Sequence, residues 1–203
     1  MKRLVLTIFL TGLLALALTG CDCNLTDRDG NTYRTVKIGS QTWMAENLKV
    51  RTEGSWCYED KESNCQKYGR LYNWDAAKVA CPVGWHLPSK EEFEILLKFV
   101  GGVQENAWKW ENAGKMLKFT NGWNEYGGKN GNGTDDFGFS ALPAGNRLNN
   151  GYYRNEGYYA SVWSSSEDDS YLAYYMGLYY GSDNADLNYD SKSIAFSVRC
   201  VKD

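Results

Sequence analysis

The sequence predicts an α+β domain with two main helices and an antiparallel sheet joined by long loops. Three observations carry this prediction. Ser89 stands three residues before Glu92, a capping-box spacing, and Phe93, Leu96, Leu97 and Val100 recur at i, i+3, i+4 and i+7, the apolar stripe of a helix. Short runs of alternating or aromatic residues, separated by Gly, Asn and Asp clusters, read as strands joined by turns. The chain also holds 15 tyrosines, eight tryptophans and 21 glycines against three prolines, a loop-rich aromatic composition unlike that of a helical bundle.

Taken in order, the chain opens with Lys2 and Arg3, an apolar run over residues 4–18, and Leu18-Thr19-Gly20-Cys21. That run is too short for a bilayer span of roughly 20 residues and has the form of an export signal ending in a bacterial lipobox. The expectation is cleavage before Cys21, acylation of its thiol, and a membrane-anchored lipoprotein in an oxidising compartment of the cell envelope, at the outer membrane or cell surface in preference to the inner membrane. Removing residues 1–20 leaves about 183, enough for one domain with a core, and shifts the formal charge from −3 to about −5. A mildly acidic chain with no basic run argues against nucleic acid as a partner.

Residues 22–32 are polar and turn-rich, a tether reaching roughly 35 Å at full extension. Residues 33–39 and 41–45 alternate as a hairpin would. A first helix over about 73–80 has Trp74, Ala77 and Val79-Ala80 on one side, and Pro82 forbids its continuation. The capped helix follows and ends at Gly101-Gly102. A third is expected near 113–119. Beyond residue 121 the strand-like runs are 137–142, 158–164, 171–179 and 194–201, with turns at Asn150-Gly151 and at residues 181–184.

Six cysteines are present. With Cys21 acylated, five remain. Cys57 and Cys65 flank a polar, turn-like stretch suited to a local bridge. Cys81 and Cys200 would then tie the middle of the domain to its last strand, leaving Cys23 over in the tether. Spacing does not decide connectivity, so other pairings, Cys57 with Cys81 among them, stay open. With no Cys-x-x-Cys pair and a single histidine, His86, the chain offers no structural zinc site, and no metal or cofactor is expected.

Five blocks resemble, in the right order, the Fibrobacter succinogenes major paralogous domain: residues 38–48 (IGSQTWMAENL), 68–74 (YGRLYNW), 80–89 (ACPVGWHLPS), 134–145 (TDDFGFSALPAG) and 196–201 (FSVRCV). The resemblance runs from about residue 33 to 203. It implies an exported, often lipidated protein without an established activity. More distantly, residues 84–94 (GWHLPSKEEFE) and 196–199 (FSVR) are similar to the formylglycine-generating/sulfatase-modifying group. That likeness implies a C-type-lectin-like fold, with two main helices packed on a twisted antiparallel sheet and a long loop region on one side, in which a Cys81–Cys200 bridge would play the part of the fold-closing disulfide.

In such a fold a ligand would sit on the loops around 121–136 and the neighbouring strand ends. The candidate residues are Trp123, Tyr126, Asp135, Asp136, Asn146, Arg147, Trp163 and Glu167, since aromatic faces stack on sugar C–H surfaces while Asp, Asn and Arg take hydroxyls. Core packing competes at Trp163, and turn capping at Asp135 and Asp136. Calcium has weak support, because the Glu-Pro-Asn and Gln-Pro-Asp motifs of animal C-type lectins are absent. A formylglycine-generating type of chemistry needs a reactive cysteine near the C-terminus, where only Cys200 stands, and His86 reads as a packed structural residue. No catalytic residues are assigned. The expected function is a non-catalytic recognition module for glycan or adhesion. The alternatives are a protein-interaction or structural envelope lipoprotein and, third, a divergent formylglycine-generating-like enzyme.

Overall fold

The computed structural model describes residues 25–203. Cys21, the expected lipidation site, and Cys23 lie outside the described residues. The protein is α+β and sheet-rich, with four short helices and several small sheets. The main sheet has five antiparallel strands in the order Tyr159–Glu167, Leu172–Tyr179, Ala185–Ser191, Lys109–Glu111 and Val103–Gln104. A four-stranded sheet runs Thr35–Ile38, Gln41–Met44, Val201–Lys202 and Trp85–His86, so the last strand pairs beside the N-terminal hairpin. Among the described residues no helix is long and apolar enough to cross a membrane.

Local chemistry explains the helices. Asn73 caps Trp74–Lys78 by accepting from the Ala76 amide at 3.0 Å. Lys90–Phe99 carries the full capping box, Ser89 accepting from Glu92 and the Glu92 carboxylate from the Ser89 amide. Its stripe of Phe93, Leu96 and Leu97 is fully buried, and Phe93 stacks on Trp43 at 5.4 Å. The third predicted helix is present as Ala113–Leu117.

The strand Tyr159–Glu167 divides two core clusters. Ala160 and Val162 face a cluster with Trp43, Phe93, Leu96, Phe139 and Met176, whereas Trp163 faces a second with Tyr72, Trp74, Phe196 and Val198. Because alternate side chains point to opposite faces, a strand buried on both must be apolar or small throughout, as Ala160-Ser161-Val162-Trp163 is. Disulfides join Cys57 to Cys65 and Cys81 to Cys200, the pairing expected.

Four expectations need correction. Residues 137–142 form no strand, because Gly138 and Ser140 have φ of 69° and 55° and Asp135 accepts from both the amide and the hydroxyl of Ser140. Of residues 194–201 only Val201 enters a ladder, while Ala195, Phe196 and Ser197 make single bridges to three separate segments. The polar stretch between Cys57 and Cys65 ends in the first three residues of a helix, Glu62–Tyr68, which carries Cys65 itself. The strand Ala185–Ser191, absent from the strand-like runs of the sequence, begins directly after the turn at 181–184.

One buried cation holds these irregular segments together. Arg199 is fully buried, donating from Nε to Asn47 Oδ1 at 2.8 Å and from its terminal nitrogens to the carbonyls of Phe139 and Ser140. Burial without a contacting acid brings its pKa down to about 9, with Asp135 and Glu46 opposing the fall from a distance.

Candidate functional site

Five tyrosines meet at the end of the main sheet where Tyr159–Glu167 begins and Leu172–Tyr179 ends. Tyr159 lies opposite Tyr179 in register, and the Tyr180 amide donates to the Tyr158 carbonyl at 2.9 Å. Tyr126 arrives on a separate small hairpin, Glu125–Tyr126 with Lys129–Asn130, whose two-residue turn Gly127-Gly128 has φ of 57° and 77°. That turn geometry requires left-handed residues at both central positions, which glycine supplies without steric cost. The rings form a continuous set, edge-to-face for Tyr126–Tyr180 at 5.3 Å, Tyr158–Tyr180 at 4.9 Å and Tyr179–Tyr180 at 4.6 Å, and tilted for Tyr159–Tyr179 at 4.8 Å. Tyr126, Tyr158 and Tyr159 remain 52 %, 43 % and 39 % exposed.

This surface is built from behind. A Cβ on Gly181 would lie 2.8 Å from Cγ of Tyr126, so only glycine lets that ring lie against the backbone. Lys118 is almost completely buried, and its ammonium donates to the carbonyls of Ser182 at 2.8 Å and Tyr179 at 3.3 Å. The same ammonium stands 5.2 Å from the centre of the Trp123 ring. Burial lowers the Lys118 pKa, and the nearby Asp183 charge partly restores it.

Of the eight candidate ligand residues, only Tyr126 joins this surface. Trp123 is buried beneath it, donating from Nε1 to the Ala141 carbonyl, and Trp163 is core; neither presents a face to a ligand. Asn146 is buried and accepts from Asn155. Asp135 caps the turn at Ser140, and Asp136 is exposed nearby in sequence but makes no hydrogen bond or ion pair among the described residues. Glu167 pairs with Lys192 at 2.7 Å, and Arg147 stacks on Trp56 with its guanidinium 4.2 Å from the ring centre. The residues missed are Tyr158, Tyr159, Tyr179 and Tyr180. Their signal was in the sequence as two Tyr-Tyr pairs, each with one tyrosine at a strand end and the other in the adjoining turn.

His86 is a clamp. Nδ1 lies 2.6 Å from an Asp203 oxygen and Nε2 2.8 Å from Glu92, so both ring nitrogens are engaged. Burial works against the charged ring, but the hydrogen bonds to Asp203 and Glu92 outweigh it and raise the pKa. At Cys57 and Cys65, a Glu62 oxygen lies within 4.8 Å of both sulfurs, yet sulfurs bonded to each other offer no thiolate to a metal.

Fold and surface define a disulfide-stapled α+β domain that displays tyrosines at one end of its sheet. The chain belongs to the Fibrobacter succinogenes major domain family, whose profile matches residues 36–202. No curated protein and no solved structure matches it.

Proposed function

We propose that this chain is a non-catalytic recognition module of a bacterial envelope lipoprotein, anchored through acylated Cys21, that binds glycan on its tyrosine surface. One observation carries the reading: five tyrosines from three chain segments form one set of touching rings, and three of them are exposed. Rings of this kind stack on sugar C–H faces while their hydroxyls meet sugar hydroxyls, at low entropic cost because tyrosine has few rotatable bonds. A C-type-lectin-like assignment of the α+β fold is part of the proposal. It is supported by the Cys81–Cys200 bridge, which runs from just beyond the helix Trp74–Lys78 to the edge of the last strand. The engagement of both His86 nitrogens favours a structural over a catalytic role for that ring.

A second reading, a protein-interaction component of the envelope, draws on another exposed aromatic group, Trp108 with Tyr174 and Tyr189 at 6.1 and 5.7 Å. Aromatic clusters of this type are common anchors at protein interfaces. Titration of the oxidised chain against a glycan panel, read by tryptophan fluorescence and calorimetry, separates the two. Saturable binding that weakens at least tenfold in Tyr126→Ala and Tyr180→Ala, with unchanged thermal unfolding, is the expected result. Binding indifferent to both substitutions, or none across the panel, removes the glycan reading.

A further inference from the structure

We propose a second ligand site, for an anionic sugar unit, carboxylated or sulfated, in the groove lined by Arg51, Trp56, Asp60, Glu62 and Arg70. Two adjoining clefts of about 430 and 450 Å³ share Arg51, Glu62 and Arg70. Each falls within the size range of small-ligand sites. The choice of a sugar rests on the glycan reading above, but the groove stands apart from the tyrosine surface and shares no residue with it.

The cations of the groove argue for an anion. Arg70 is 7 % exposed, and its guanidinium meets only neutral groups. Nε donates to Ser55 Oγ at 3.0 Å, Nη2 to the Ser55 carbonyl at 2.9 Å, and Nη1 lies 3.4 Å from both Cys57 and Cys65 sulfurs. No carboxylate comes within ion-pair distance of it among the described residues. A buried charge is normally paired, because the loss of hydration is otherwise uncompensated. Beside it, Arg51 uses its backbone amide to hold Asp29 at 2.7 Å, while its guanidinium makes no hydrogen bond or ion pair among the described residues. Arg51 therefore presents the groove with one uncommitted fork that matches carboxylate or sulfate oxygens, and Arg70 places a buried positive charge in the wall beside it. Lys49, at the far end, is already paired with Glu46 at 3.7 Å.

The remaining wall suits a sugar ring. Trp56 is half-buried and held by the Arg147 guanidinium, 4.2 Å from its centre. The Nε of Arg147 has no hydrogen-bond partner, and the guanidinium stacks between Trp56 and Tyr153, 5.7 Å from the centre of the Tyr153 ring. Asp60 and Glu62 supply acceptors for hydroxyl protons. Asp60 is pre-set: it accepts from Tyr153 Oη at 2.6 Å and, with Glu59, takes φ of 54°. Two successive non-glycine residues in the left-handed region are costly, and strain of this kind tends to collect at binding sites. The Cys57–Cys65 bridge spans the strained pair and holds it in place.

The test uses the full chain, solubilised and oxidised, in calorimetric titrations with four probes. These are a galacturonic acid tetrasaccharide, its methyl ester, a sulfated galactose tetrasaccharide and the neutral galactose tetrasaccharide. At least one anionic probe should bind tenfold or more tighter than its uncharged counterpart. Arg51→Ala should weaken that binding at least tenfold and Arg51→Lys about threefold, since lysine keeps the charge but loses the fork. Arg51 is exposed, so these variants keep the fold, whereas Arg70 substitutions risk it. Tyr126→Ala should leave the anionic probe unaffected. Equal binding of charged and uncharged probes, insensitivity to Arg51→Ala, or loss in Tyr126→Ala instead would each overturn the groove. Neutral-glycan binding lost only in Tyr126→Ala bears on the tyrosine surface alone, so the two readings fail separately.

Discussion

The N-terminal half and the tyrosine-rich half use aromatic side chains to opposite ends. In the first, Tyr33, Trp43, Tyr72 and Trp74 are buried, and their polar atoms are spent inside the protein: Tyr72 Oη donates to Val50 at 2.7 Å and Trp74 Nε1 to Ser164 at 2.8 Å. In the second, Tyr126, Tyr158 and Tyr159 keep much of their surface in water and set their rings against Tyr179 and Tyr180. Buried aromatics contribute area and fixed hydrogen bonds to stability, whereas exposed ones contribute little to it and stay available to a ligand. Substitution should therefore damage folding in the first region and recognition in the second.

The largest effect belongs to the staple between the halves. Removing Cys81–Cys200, which closes a separation of 119 residues, should lower stability by about 4–5 kcal/mol, against about 2–3 for Cys57–Cys65 with a separation of 8. Urea midpoints of the two double-serine variants give the ranking, and a larger loss from the short bridge would contradict it. Next comes the direct contrast of aromatics. Phe93→Ala, emptying a fully buried site against Trp43, should cost about 3–5 kcal/mol, while Tyr158→Ala should stay within about 0.5. If Tyr158→Ala destabilises as much as Phe93→Ala, the tyrosine set is core and the contrast fails.

The smallest effect is a pH dependence at His86. Its pKa in the folded protein lies above the ordinary value of about 6.5, the two carboxylate hydrogen bonds outweighing burial. The clamp therefore contributes fully below about pH 6.5 and is lost as pH rises through the raised folded value. Thermal unfolding of the wild type and His86→Gln at pH 5.5 and 8.5 should show a gap that narrows at the higher pH. The gap should be modest, because the ring is 42 % exposed and its ion pairs are screened. A gap that widened with pH would mean that the ring is held neutral.

Much of the scaffold was legible in the residues. Ser89, Glu92 and the stripe from Phe93 announce their helix because cap and periodicity are local. The helix Glu62–Tyr68 was hidden, since only Cys65 and Tyr68 bury and no apolar stripe marks it. Residues 137–142 look like a strand by composition, yet the carbonyls of Phe139 and Ser140 go to Arg199, about 60 positions away. The candidate site was legible as a neighbourhood more than as a residue set. The loop near Tyr126 was identified, while Trp123 turned inward over Lys118 and the ring partners of Tyr126, Tyr179 and Tyr180, came from more than 50 residues further on.

By itself the sequence determined what depends on nearest neighbours: the capped helix, the N-terminal hairpin and the family to which the chain belongs. Tertiary structure decided which aromatics face water, how Arg70 came to lie buried without a counter-ion, and which segments Arg199 draws together. The physical reason is range. Capping and periodicity act over a few residues of one segment, whereas burial and charge pairing depend on what other segments bring to the same place.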